Sequence, residues 1–112
     1  MMNLIDKIQN QPEKILFPEV IEYIDSNYNF TPTRFTNGNT VNEANQNNGS
    51  CKIFYFAKIK ELSPEQTLHL FGDFYRIDVL ENPNGTDHQN IRNFMKSGWN
   101  GIVFNGVVLD LK

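Results

Sequence analysis

One grouping of residues in this chain suggests bond-making chemistry. Cys51, the only cysteine, follows Gly49-Ser50, a combination that reads as a helix start. A thiol at a helix N-terminus ionises more easily, because the helix dipole favours thiolate. His88 would take the proton and Asp87 would orient the ring, the usual logic of nucleophile, base and third group. On that reading the chain is a cysteine-dependent hydrolase or transferase. No family-specific cysteine-enzyme motif surrounds Cys51, however. The plainer reading is a small buried cysteine, since free cysteine is among the most buried residue types. For His88 the plainer reading is a first-turn histidine held by a neighbouring carboxylate or carbonyl. No metal centre and no cofactor are expected. Cys51, His69 and His88 are the only soft or borderline ligands, and none stands at a paired spacing such as Cys-x-x-Cys or His-x-x-x-His.

Two further groups point to binding instead. Thr86, Asp87, His88 and Asn90 gather where another helix starts, and free amides there attract anions. Arg76 and Arg92 add positive charge. Ordinary capping explains the same residues, with Asp87 bonding the Asn90 amide and the arginines pairing with Asp73 or Asp78. The second group is Asn37, Asn42, Glu43, Gln46 and Asn47, in the amide-rich stretch Phe30 to Cys51. A polar connection of that length is uncommon inside a compact domain and is usually functional or disordered. Loops on rigid scaffolds often carry binding, and Asn side chains also close loops with their own hydrogen bonds. The favoured expectation is a small non-enzymatic module that binds an unknown protein partner, with the cysteine enzyme as the alternative.

The elements that position these residues are mostly helical. Asn3 to Gln9 is a short helix candidate that Pro12 ends. Phe17, Val20, Ile21, Ile24 and Tyr28 recur at helical spacing and predict a helix over Pro18 to Tyr28. Asn37-Gly38 is a hairpin signal between very short strands at Phe35 and Val41. Ser50 to Leu62 has strand-like propensity at Ile53 to Ala57, but Ser50 as N-cap and the restart at Ser63 favour a buried helix. Ser63-Pro64-Glu65-Gln66 is a capping box. The helix it opens carries Leu68, Phe71, Gly72, Tyr75 and Val79 on one face, with Gly72 admitting a close neighbour. Asn82-Pro83-Asn84-Gly85 is a β-turn signature. Thr86 or Asp87 then caps a helix whose Ile91, Phe94 and Met95 face the core. Gly98 is placed to end it in a left-handed conformation, with Trp99 folding back on Phe94. Ile102 to Leu109 reads as a hairpin about Asn105-Gly106. The predicted fold is α+β and mainly helical: four or five packed helices and a small antiparallel sheet, in one domain over residues 1–112.

Bulk properties exclude several roles. The chain has 112 residues and a net charge of −3, with its ten basic residues scattered. No basic patch suited to phosphates is visible, so nucleic acid is not an expected partner. No apolar run is long enough to span a membrane, and the first residues lack the pattern of a signal peptide. A single cysteine fits a reducing cytoplasm. Oligomeric state is not legible.

Three segments together carry a family resemblance: FTPTRFTNG, NEANQNNGSCKIFYFA and TLHLFGDFYRIDVLENPNGTDHQNIRNFMKSGW. They resemble the HopJ type III effector family over about Phe17 to Leu109, and GTDHQNIRNFM is the most specific run. The chain departs from the family pattern at Asn45, where glycine is usual, and at Asn48, where an acidic residue is usual. Asn tolerates a left-handed backbone nearly as well as glycine, so the first departure need not change the loop. The resemblance implies a bacterial cytoplasmic protein exported to a host cell by type III secretion. It implies no enzymatic activity and no catalytic residue.

Overall fold

The computed structural model describes residues 3–112. Five α-helices, a short π-helix and two small antiparallel sheets surround one aromatic core. The helices are α1 (Leu4–Asn10), α2 (Phe17–Asn27), α3 (Asn48–Ile59), α4 (Pro64–His69) and α5 (Gln89–Ser97). The strands are β1 (Tyr28–Phe30), β2 (Phe35–Asn37), β3 (Thr40–Asn42), β4 (Ile102–Phe104) and β5 (Leu109–Leu111). The mainly helical α+β class expected from the sequence is the class observed. No helix among the described residues is long and apolar enough to cross a membrane.

Helix α3 is the hub. Cys51, Ile53, Phe54, Phe56 and Ala57 are all buried, so the helix is apolar on most sides. The Phe54 ring lies 4.9 Å from Phe94, 5.2 Å from Phe71 and 6.4 Å from Phe35. Such aromatic pairs contribute roughly 0.5–1.5 kcal/mol each beyond area burial. Packing against helices on several sides settles the ambiguous segment as a helix, despite its β-prone residues. Its N-cap is Asn47, in the left-handed region at φ 53°, not Ser50. Asn45 is also left-handed, at φ 71°, as the tolerance of Asn for that backbone allows.

The Ser63 capping box forms, with both of its hydrogen bonds present. The helix after it does not continue to Val79. Gly72 adopts φ +61° and splits it into α4 and a π-helix, Phe74–Val79. A Cβ at Gly72 would lie 2.7 Å from the Phe17 amide nitrogen, so glycine is required for both backbone angle and space. Leu68, Phe71 and Val79 still face the core. The π-helix shows the expected wide bond, Leu80 N–H to the Tyr75 carbonyl at 3.0 Å.

Gly98 has φ +57°, and the Trp99 ring meets Phe94 edge to face at 5.0 Å. Met95, by contrast, is half-exposed and does not join the core. Asn37-Gly38 begins the turn between paired β2 and β3, and β4 adds to the other edge of β2. The hairpin expected about Asn105-Gly106 does not form. The strands on either side of that bend have different partners: β4 pairs with β2, and β5 crosses to β1.

Candidate functional site

A cleft of about 450 Å³ opens where the starts of α3 and α5 converge. Phe17, Phe71 and Phe74 form apolar walls, with Asn47, His88 and Asn90 at the polar side. Phe17 and Phe74 meet edge to face at 5.0 Å, and the His88 ring lies 5.2 Å from Phe74. Both helix starts have the same local geometry. Their N-cap residues, Asn47 and His88, are left-handed at φ 53° and 49°, and neither side chain closes the first turn. Neither Thr86 nor Asp87 is therefore the cap of α5.

Asp87 instead bonds the Arg92 guanidinium at 2.7 Å, and that bond holds its carboxyl below the usual aspartate value. Arg92 is buried and also donates to the carbonyls of Asp87 and Asn82. Arg76 is turned inward, donating to the carbonyls of Pro12, Ile15 and His69. Both arginines fasten backbone segments and are not free for a ligand. His88 Nε2 lies 3.1 Å from Asp78 Oδ2 and 4.0 Å from Asp87 Oδ2. Asp78, not Asp87, is the carboxylate closer to the ring.

Cys51 does not line this cleft. It is 1% exposed, and its thiol donates to the Thr33 carbonyl at 3.7 Å. Burial pushes the thiol up to about 11, the opposite of the activation expected from its place near a helix start. Desolvation of a thiolate in the core is the largest cause of that shift. Among the described residues, no three His, Cys, Asp or Glu side chains gather as a metal site.

The amide-rich stretch divides in two. Asn37 and Asn42, expected on a binding surface, are buried, as is Asn90. Asn42 and Asn90 exchange side-chain hydrogen bonds at 2.9 and 3.1 Å. Asn37 Nδ2 donates to the Asn90 carbonyl at 2.8 Å and to Asn90 Oδ1 at 3.1 Å. Asn47 Nδ2 donates to Asn42 Oδ1 at 2.7 Å, tying the start of α3 to the same cluster. Asn37 Oδ1 is the one buried side-chain polar atom without a hydrogen-bond partner among the described residues. Glu43 and Gln46 remain exposed; Gln46 Oε1 accepts from the Glu43 amide, and Glu43 pairs with Arg34 at 3.3 Å. Thr86 is exposed at the cleft rim.

Residues outside the expected site complete this region. The π-helix leaves Phe74, Ile77 and Leu80 between 40% and 46% exposed. The helical face of Leu68, Phe71, Gly72, Tyr75 and Val79 already sets these three on the opposite side, although their apolar type argues for burial. The signal was Gly72, whose positive φ redirects the segment.

The HopJ type III effector protein family matches residues 1–109 of the chain. A crystal structure of a protein of unknown function, VPA0580, is similar at 54% identity and a TM-score of 0.95. The match covers 99% of this chain and 95% of that one. No curated protein matches.

Proposed function

The chain belongs to the HopJ type III effector protein family, and from that premise we propose that it is a non-enzymatic protein-interaction module. The observation that carries this reading is the separation of Cys51 from the cleft. The chain's only thiol is sealed in the core, while the histidine that would activate it lies on the cleft wall against Asp78. A nucleophile must reach both its base and its substrate, within about 3 Å of each at the moment of reaction. What the cleft does present is aromatic surface, amides and a fixed imidazole, which suit recognition. The family's name supplies the proposed setting, delivery into a host cell by type III secretion.

The test is alkylation of Cys51 by iodoacetamide in the native protein between about pH 5 and 9, with His88→Ala beside it. The expected result is no labelling until the protein unfolds, and no difference in the variant. Fast labelling near neutral pH that disappears in His88→Ala would overturn the reading in favour of a cysteine enzyme.

A further inference from the structure

Resting on that interaction reading, we infer that the face around the π-helix docks a basic amphipathic helix. Five of the ten large apolar side chains exposed among the described residues gather there: Leu16, Phe74, Ile77, Leu80 and Met95. Four of them line three depressions, and Ile77 stands exposed on the π-helix between Phe74 and Leu80. Leu16 and Phe74 line the first, at about 410 Å³. Phe74 and Gln89 line the central cleft, and Gln89 with Leu80 and Met95 lines the third, at about 230 Å³. Phe17 and Phe74 are common to the first two and Gln89 to the last two, so the three join into one groove with apolar ends and a mixed centre, a surface that can take the apolar stripe of a helix. Contiguous exposed apolar surface of this kind marks an interaction site more often than isolated side chains do. The π-helix supports the assignment, because such helices recur at functional sites.

The charge at the rim selects the occupant. Residues 73–87 hold Asp73, Asp78, Glu81 and Asp87, and Arg76 as the sole Lys or Arg. Arg76 is turned inward onto three carbonyls, so its charge is spent inside. Asp78 and Asp87 face His88 and Arg92, while Asp73 and Glu81 enter no ion pair among the described residues. Lys96 is the cation on the far rim. An acidic edge beside an apolar groove is complementary to lysine and arginine flanking an apolar stripe. It repels an anionic membrane surface, and it repels the same face of a second copy of this chain.

The probe is a peptide of about five helical turns made only of Leu and Lys, with Leu at i, i+3, i+4 and i+7. A Leu/Glu peptide of the same pattern is the control. Each is titrated into the ¹⁵N-labelled full chain. The Leu/Lys peptide is expected to shift amide resonances of residues 73–81 and 89–96, and the Leu/Glu peptide is not. Ile77→Ser is expected to weaken binding at least about tenfold. The double variant Asp73→Asn with Glu81→Gln is expected to weaken it by about threefold and to reduce its salt dependence. All three substitutions are on exposed side chains, so folding is retained. Equal binding of the two peptides, shifts confined to another face, no binding, or a groove covered by a second copy would each overturn the inference. Reactive Cys51 near neutral pH would overturn the non-enzymatic reading and leave this titration standing. Failure here with an inert Cys51 removes only the partner class.

Discussion

Asn37, Asn42 and Asn90 lie inside this protein, while Phe74, Ile77 and Leu80 stand between 40% and 46% exposed. By residue type the two groups should be reversed. The amides are tolerated inside because, Asn37 Oδ1 apart, they pair with one another: each of the three makes at least one side-chain hydrogen bond within the cluster. Buried polar groups that are paired cost little, and unpaired ones cost a great deal. The apolar residues are outside because Gly72 turns the chain and the π-helix can bury only Val79 fully. The contrast teaches that the amide cluster is architecture. It clamps β2, β3 and the starts of α3 and α5 together. The exposed apolar ridge is the surface on which the proposed partner would dock.

The largest effect comes from breaking the inside. Asn90→Ala removes both Asn42–Asn90 bonds and the bond from Asn37 Nδ2 to Asn90 Oδ1, leaving Asn42 with Asn47 and, at 3.5 Å, the Phe35 carbonyl. A loss of about 3 kcal/mol is expected, seen as a fall of roughly 10 °C or more in Tm by thermal circular dichroism. A loss below about 0.5 kcal/mol would mean that the cluster is not holding the elements.

Cys51 belongs to the same interior, and its titration sharpens the comparison. Its folded-state pKa is raised to about 11 from an ordinary value of 9.0, so the folded state holds its proton more tightly than the unfolded state. Its contribution is fully present below about pH 9 and is lost as the pH rises to about 11. The expected decline is roughly 2–3 kcal/mol, measured by urea unfolding across that window. Cys51→Ala should remove this part of the decline.

At the boundary between the regions, Gly72→Ala should cost about 2 kcal/mol, from the positive φ and the approach of the Phe17 backbone. A similar Tm in the variant would show that the chain can resume a continuous helix there. The smallest effect is expected outside. Ile77→Ser should change unfolding free energy by less than about 0.5 kcal/mol, because its side chain is nearly half exposed. A large loss would place Ile77 in the core and break the contrast.

Much of the architecture was legible from local signals. The Ser63-Pro64-Glu65-Gln66 box, the Asn37-Gly38 turn and the Gly98-Trp99 ending are chemistry within a few residues, and each formed. The ambiguous segment at Ser50–Leu62 was legible as a helix through its flanking restart at Ser63. What was not legible depended on distant partners. The bend at Asn105-Gly106 looks like a hairpin until β1 and β2 compete for its two strands. Gly72 has the composition of a close-packed helical glycine, and only the Phe17 backbone beside it turns it into a break. At the candidate site, His88, Asn90 and Thr86 do share one cleft, as their proximity in sequence suggests. Cys51 falls outside it because the α3 face that carries the thiol turns to the core. The role of Asn37 and Asn42 was hidden because their partner, Asn90, is about fifty residues away.

The most direct measurement is hydrogen exchange of the side-chain amides by NMR in the native protein. The Nδ2 protons of Asn37, Asn42 and Asn90 should exchange far more slowly than those of exposed Asn39 and Asn84. Those of Asn37 and Asn42, which do not line the groove, should also show no shift when the Leu/Lys peptide binds. Exchange as fast as that of Asn84, or large shifts on binding, would contradict the account: the amides would then be a working surface and not the clamp.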